Sequence, residues 1–265
     1  MDDNYQTYMN RVARMTLPEA YTSGVQHLKE SSKFVLNPGK ERKAVSFPGY
    51  TLITPPPGEE DSKNSAFYSK LQDYQQEILH LPMGSDFIIP VPRDSFHLTL
   101  ADLIWENAYR DAAETNPDFE AQLQLCFSDI FQQYQKSAIA DNPPRWQMLG
   151  LMLMPRAVAV CLVPENKDSY EQIVNFRRAI YQNPKLMALG IEQQYNFTAH
   201  ITLGYFSEIP PDLNRDNFAT TLSSLNQKWT EDLPTLTVHR AELRKFDDMT
   251  RFYRESDSPV LVFSN

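Results

Sequence analysis

The chain has 265 residues, 42% of them hydrophobic, and a formal net charge of −9 at pH 7. Its length allows one large domain or two small lobes with a substantial core. Its acidity excludes the binding of long nucleic acid by general electrostatics, which needs many lysine and arginine contacts to phosphate. No apolar run approaches a membrane span, and the first residues lack the basic and apolar regions of a secretory signal. We therefore expect a cytoplasmic protein that does not bind membranes.

The first half of the chain alternates predicted helices and short strands. Thr16 to Glu19 form a capping box with proline in the first turn, which predicts a helix from about residue 17 towards residue 29. Apolar residues recur at helical spacing over residues 66–79 and predict a second helix. Strands are predicted at three short apolar segments, residues 49–54, 87–89 and 96–103.

The second half continues the same alternation. Asn116-Pro117 is typical of a helix start, so a helix is predicted to begin there. Residues 146–154 and 157–163 are apolar segments joined by Pro155-Arg156, a spacing that predicts a β-hairpin. The remaining predicted elements are helices over residues 168–181 and 214–229 and strands over residues 197–206, 236–246 and 252–263.

This order of elements predicts an α+β fold. We expect a bilobal, duplicated unit in which antiparallel sheets line a central cleft and helices cover the outside. Residues 1–45 are assigned to an N-terminal helical extension. Residues 46–265 are assigned to a single bilobal domain whose lobes meet at the cleft.

One short motif occurs twice with unchanged chemistry. His97-Leu98-Thr99-Leu100 returns as His200-Ile201-Thr202-Leu203. Because side chains alternate between the two faces of a strand, the histidine and threonine of each copy are predicted to share a polar face. Two such strands facing each other would bring two acid–base groups and two hydrogen-bond donors to one cavity. Those groups suit in-line attack at phosphorus.

The paired motifs and the order of strands and helices over residues 47–265 resemble the 2H phosphoesterase superfamily. That superfamily includes 2′-5′ RNA ligase-like proteins and cyclic nucleotide phosphodiesterases, and the chain is similar to an uncharacterised bacterial branch of it. The resemblance implies a bilobal fold, both motifs in the central cleft, and phosphodiester chemistry that needs no metal.

The motif residues then receive roles as hypotheses. His97 and His200 form an acid–base pair, and either one could be the base. Thr99 and Thr202 bind the non-bridging phosphate oxygens. The expected reaction opens 2′,3′-cyclic or related cyclic phosphates, or cleaves 2′-5′ linkages, in a small nucleotide or RNA end.

Strand alternation and local charge suggest further substrate contacts. Arg93 shares the face of His97 and could reach a phosphate. Phe206 shares the face of His200 and could stack on a base, whereas Tyr205 is out of phase and is predicted to lie in the core, unless a bulge at Gly204 rotates it. Two more possible contacts lie near the end of the chain, Arg251 and Tyr253.

Neither a metal nor a cofactor is expected. The two motif histidines have no neighbour at metal-ligand spacing, and the chain has no glycine-rich phosphate loop. The predicted partner is a small nucleotide or RNA-end substrate, and the oligomeric state stays open. Two alternatives remain: a non-catalytic module that binds a nucleotide or RNA end on the same fold, and a structural protein in which the repeated motif is a coincidence.

Overall fold

The computed structural model describes residues 2–36, 42–82, 84–137, 142–231 and 233–263. The helices are α1 (Tyr5–Arg14), α2 (Pro18–Gly24), α3 (Ser65–Leu79), α4 (Gly84–Phe87), α5 (Glu106–Thr115), α6 (Phe119–Ser137), α7 (Lys167–Tyr181), α8 (Pro184–Ala188) and α9 (Arg215–Trp229). The strands are β1 (Phe34–Leu36), β2 (Arg42–Ala44), β3 (Gly49–Ile53), β4 (Ile88–Pro90), β5 (Thr99–Trp105), β6 (Arg145–Met154), β7 (Ala157–Pro164), β8 (His200–Phe206), β9 (Thr235–Thr237), β10 (Arg240–Asp248), β11 (Arg251–Tyr253) and β12 (Val260–Val262).

Two antiparallel five-stranded sheets form the framework, and each carries one histidine motif. The first sheet has the order β11-β10-β3-β5, with β12 also paired to β10, and the first motif leads into β5. The second sheet has the order β4-β8-β7-β6-β9, and the second motif begins β8. The α+β, bilobal arrangement expected from the sequence is confirmed.

The two sheets are not the two halves of the chain. Strand β4 comes from the first half but pairs with β8, whereas β10 comes from the end of the chain and pairs with β3. The strand predicted over residues 236–246 is therefore interrupted, because β9 belongs to the second sheet and β10 to the first. The strand predicted over residues 252–263 is also divided, since β11 and β12 pair with different parts of β10.

The N-terminal segment differs most from expectation, because it is part of the core. Tyr8, Val12 and Tyr21 are fully buried and belong to the same apolar cluster as the central strands. The Tyr8 hydroxyl donates to the carbonyl of Leu162 at 2.9 Å, and the Tyr21 hydroxyl donates to that of Leu151 at 2.7 Å. Burial of such large aromatic side chains ties α1 and α2 to the second sheet. Residues 1 and 37–41 of the predicted extension lie outside the described residues.

A buried ion pair also joins the N-terminal segment to both motif strands. Asp2 Oδ2 lies 2.7 Å from Arg177 Nε, and both side chains are only 4% exposed. Arg177 donates to the carbonyl of Leu100 in β5 at 2.6 Å, and Asp2 accepts from the backbone N–H of Phe197, just before β8, at 2.7 Å. The ion pair therefore connects the two sheets close to the motif histidines.

Candidate functional site

The two histidines and two threonines of the repeated motif line one cavity of about 370 Å³ where the two sheets meet. Thr99 begins β5 of the first sheet and His97 lies in the segment just before it, whereas His200 and Thr202 lie in β8 of the second sheet. The structure thus brings together the two copies of the motif, which are about a hundred residues apart in the chain. The cavity is also lined by Lys33, Asp102, Trp105, Tyr205 and Phe252.

His97 is positioned by a segment that precedes β5. The neighbouring Leu98 is paired with Thr54: its carbonyl accepts from the Thr54 N–H at 3.0 Å, and its N–H donates to Thr54 Oγ1 at 2.9 Å. The Thr54 hydroxyl therefore takes the place of a backbone carbonyl as the acceptor for the Leu98 N–H at the end of the sheet. Nδ1 of His97 lies 2.7 Å from the carbonyl oxygen of Ser95.

His200 repeats the arrangement at the start of β8, opposite Cys161 of β7. Its Nδ1 lies 2.8 Å from the carbonyl oxygen of Thr198, again two residues earlier. A carbonyl only accepts hydrogen bonds, so each ring is held in the form that carries hydrogen on Nδ1. In both imidazoles Nε2 is then the nitrogen left for proton transfer.

His97 is held neutral by its surroundings. The pKa of His97 is lowered from 6.5 to about 4, mainly by burial and also by the charges of His200, Arg244 and Lys33, against the opposing hydrogen bond to Ser95. The ring of Phe252 covers it, with centroids 4.3 Å apart. At neutral pH the His97 imidazole therefore has a free lone pair.

Strand β5 adds an acid that strand alternation did not predict. Thr99 pairs with Ile53 and Ala101 with Leu52, so one extra residue is accommodated between them, and a second irregularity follows Asp102. Each bulge shifts the alternation by one. The partly exposed positions of β5 are therefore three residues apart (Thr99, Asp102 and Trp105), and all three line the cavity.

Asp102 is the only carboxylate among the cavity's described lining residues. Burial raises the pKa of Asp102, while His200, Arg177 and Lys33 act in the opposite direction. The sequence signal that could have found it is the spacing of polar or amphipathic residues every third position from Thr99, which is unusual for a regular strand.

A similar bulge in β8 corrects the prediction for Phe206. Thr202 pairs with Ala159 and Gly204 with Val158, so the strand has an extra residue between Thr202 and Gly204. Tyr205 therefore lines the cavity, and Phe206 is fully buried against Phe87. Base stacking on Phe206 is excluded by its burial. A bulge thus rotates Tyr205 into the cavity, which is the alternative that the sequence left open for this residue.

The three remaining predicted contacts lie outside the cavity lining. Arg93 is exposed in a short 3₁₀ turn before His97. Arg251 is exposed and its guanidinium lies 5.4 Å from the ring of Tyr253, whose hydroxyl bonds to Asp247. The residue between them, Phe252, is the one that faces the cavity, because successive residues of β11 alternate.

Within the described parts of the chain, no group of three or more histidine, cysteine or acidic side chains could hold a metal ion. No helix in those parts is long and apolar enough to cross a membrane. No protein-family model and no curated protein matches the chain.

Solved structures do match. The conserved protein of unknown function ATU0111 from Agrobacterium tumefaciens str. C58 aligns with a TM-score of 0.55 and 18% identity, over 86% of this chain and 90% of that one. A crystal structure of a phosphoesterase aligns with a TM-score of 0.45 and 17% identity, over 82% and 98%. E. coli LigT complexed with 3′-AMP aligns with a TM-score of 0.42 and 16% identity, over 83% and 100%. The likeness to ATU0111 is one of fold.

Proposed function

We propose that the protein is a metal-independent phosphodiesterase that opens 2′,3′-cyclic or related cyclic phosphates, or cleaves 2′-5′ linkages, in a small nucleotide or RNA end. The observation that carries the proposal is the matched pair of imidazoles in one cavity. Each has Nδ1 bound to a carbonyl two residues earlier and leaves Nε2 for proton transfer. The sequence resemblance to the 2H phosphoesterases supports the same assignment.

The lowered pKa of His97 favours it as the general base. Its Nε2 takes a proton from water as the water oxygen forms a bond to phosphorus. The bond from phosphorus to one ribose oxygen breaks, and His200, acting in its doubly protonated form, gives the Nε2 proton to that oxygen and becomes the neutral ring with hydrogen on Nδ1. Asp102, which lies in β5 with Thr99, interacts electrostatically with His200.

The threonine hydroxyls complete the proposed reaction site. Thr99 and Thr202 line the cavity with the histidines and would donate hydrogen bonds to the two non-bridging oxygens as negative charge builds on them. A cavity of about 370 Å³ suits a mononucleotide or the end of an RNA strand. The net charge of −9 favours a small substrate over long RNA.

Hydrolysis of a panel of 2′,3′-cyclic nucleotides and 2′-5′-linked dinucleotides in the presence of EDTA tests the proposal. Wild-type turnover is expected, with a loss of roughly 10²- to 10⁴-fold in His97→Ala and in His200→Ala. His27→Ala, at an exposed position outside the cavity, is the control and is expected to match wild type. Near wild-type turnover in both motif variants would refute the mechanism, and binding without turnover would favour the non-catalytic alternative.

A further inference from the structure

We propose that Lys33 is a substrate-binding residue whose ammonium group holds the charged oxygens of a phosphate in the histidine cavity. The proposal rests on the proposed function for its substrate class. Lys33 lies in the N-terminal segment, far in sequence from either motif, and it lines the same cavity as His97, His200 and both threonines.

The backbone around Lys33 is fixed on both sides. The N–H of Ser31 donates to the carbonyl of Phe206 in β8 at 2.8 Å, and the carbonyl of Lys33 accepts from the N–H of Val45 at 2.9 Å. Strand β1, which begins at the next residue, pairs with β2. The lysine is therefore anchored beside the second motif strand and is not an exposed side chain that happens to reach the cavity.

The ammonium group is surrounded by aromatic and sulfur atoms. Nζ lies 4.6 Å from the ring centroid of Phe47, 5.2 Å from that of Tyr205 and 3.3 Å from Sδ of Met249. Cation–π contacts stabilise a partly desolvated cation but leave its charge uncompensated. Within the described residues Lys33 makes no ion pair with a carboxylate.

The position of this cation matches the proposed phosphate site. Tyr205 contacts Lys33 through its ring and also interacts with Thr202 through its hydroxyl. One residue therefore links the lysine to a proposed phosphate-binding threonine. Burial lowers the pKa of Lys33, and the charges of Asp102 and Glu106 counteract that effect. An anion entering the cavity would compensate a charge with which no described carboxylate forms an ion pair.

Lys33→Met removes the charge that would bind phosphate but keeps the packing, because methionine fills similar space against Phe47 and Tyr205. Lys43→Met is the matched control, since Lys43 is an exposed lysine of the neighbouring strand β2 and lies outside the cavity. The probe is inorganic phosphate, titrated by calorimetry. Lys33→Met is expected to weaken phosphate binding by about tenfold or more, and Lys43→Met by less than about twofold.

A second measurement needs no variant. Acylation of the intact protein, mapped by mass spectrometry, is expected to be slowed at Lys33 by phosphate and unchanged at Lys43. Unchanged phosphate affinity in a folded Lys33→Met protein, or equal labelling of Lys33 with and without phosphate, overturns the proposal. Neither readout needs turnover. Phosphate binding through Lys33 without hydrolysis would contradict only the proposed function, and hydrolysis with no role for Lys33 would contradict only this inference.

Discussion

Replacement of Phe252 by alanine should change the titration of His97. Phe252 covers the imidazole at a centroid distance of 4.3 Å, and burial is the main reason why the pKa of His97 is about 4 instead of 6.5. That difference of about 2.5 corresponds to about 3 kcal/mol of preference for the neutral ring. Because Phe252→Ala admits water to one face of the ring, we expect the pKa of His97 to rise by about 1 or more.

Nuclear magnetic resonance titration of the His97 ring protons measures this directly. Phe252→Leu keeps an apolar side chain over the ring, so its titration midpoint should stay close to that of wild type. The effect also reaches catalysis, because at pH 5.5 a base with a pKa of about 4 is roughly 97% neutral and one at 6.5 roughly 9%. A wild-type midpoint near 6.5, or an unmoved midpoint in Phe252→Ala, would refute the assignment of His97 as a buried neutral base.

Three further expectations concern stability. Asp2→Asn leaves the Arg177 guanidinium buried without its carboxylate and should lower the free energy of unfolding by about 3–5 kcal/mol, measured by urea titration. A loss below about 1 kcal/mol would contradict the link that this ion pair makes between the sheets. Phe206→Ala should cost about 3–5 kcal/mol by the same measurement, whereas Tyr205→Phe should cost far less, and equal losses would argue against the bulge in β8. The depressed pKa of His97 contributes stability that is present above pH 6.5 and is lost as the pH falls towards 4. The difference in unfolding free energy between wild type and His97→Gln should therefore change by up to about 3 kcal/mol across that window. A difference that stays constant with pH would contradict the lowered pKa.

Strand alternation predicted the four motif residues but not the rest of the cavity. Between His97 and Thr99, and between His200 and Thr202, the period of two is unbroken, and the prediction that each pair shares one face agrees with the cavity lining. Beyond them, bulges in β5 and β8 shift the alternation. A bulge depends on pairing with a neighbouring strand, so its position cannot be predicted from the local sequence pattern of the bulged strand alone.

Long-range pairing explains the other differences. Lys33 reaches the cavity because Ser31 bonds to Phe206, and no local pattern indicates that contact. Helix α1 escaped prediction although its signals are local, since Asn4 caps it and the buried Tyr8 and Val12 are one helical turn apart. The α+β class, by contrast, followed from the order of elements and the β6–β7 hairpin, which are encoded by short-range periodicity.

The most direct test of the central claim is the nitrogen-15 spectrum of the two imidazoles during a titration with inorganic phosphate. Both His97 and His200 should carry hydrogen on Nδ1 when neutral, and phosphate should shift the Nε2 signals of both rings together, because the two face one anion-binding cavity. Hydrogen on Nε2 of either neutral ring, or a phosphate-dependent shift in only one of the two, would contradict a shared two-histidine site.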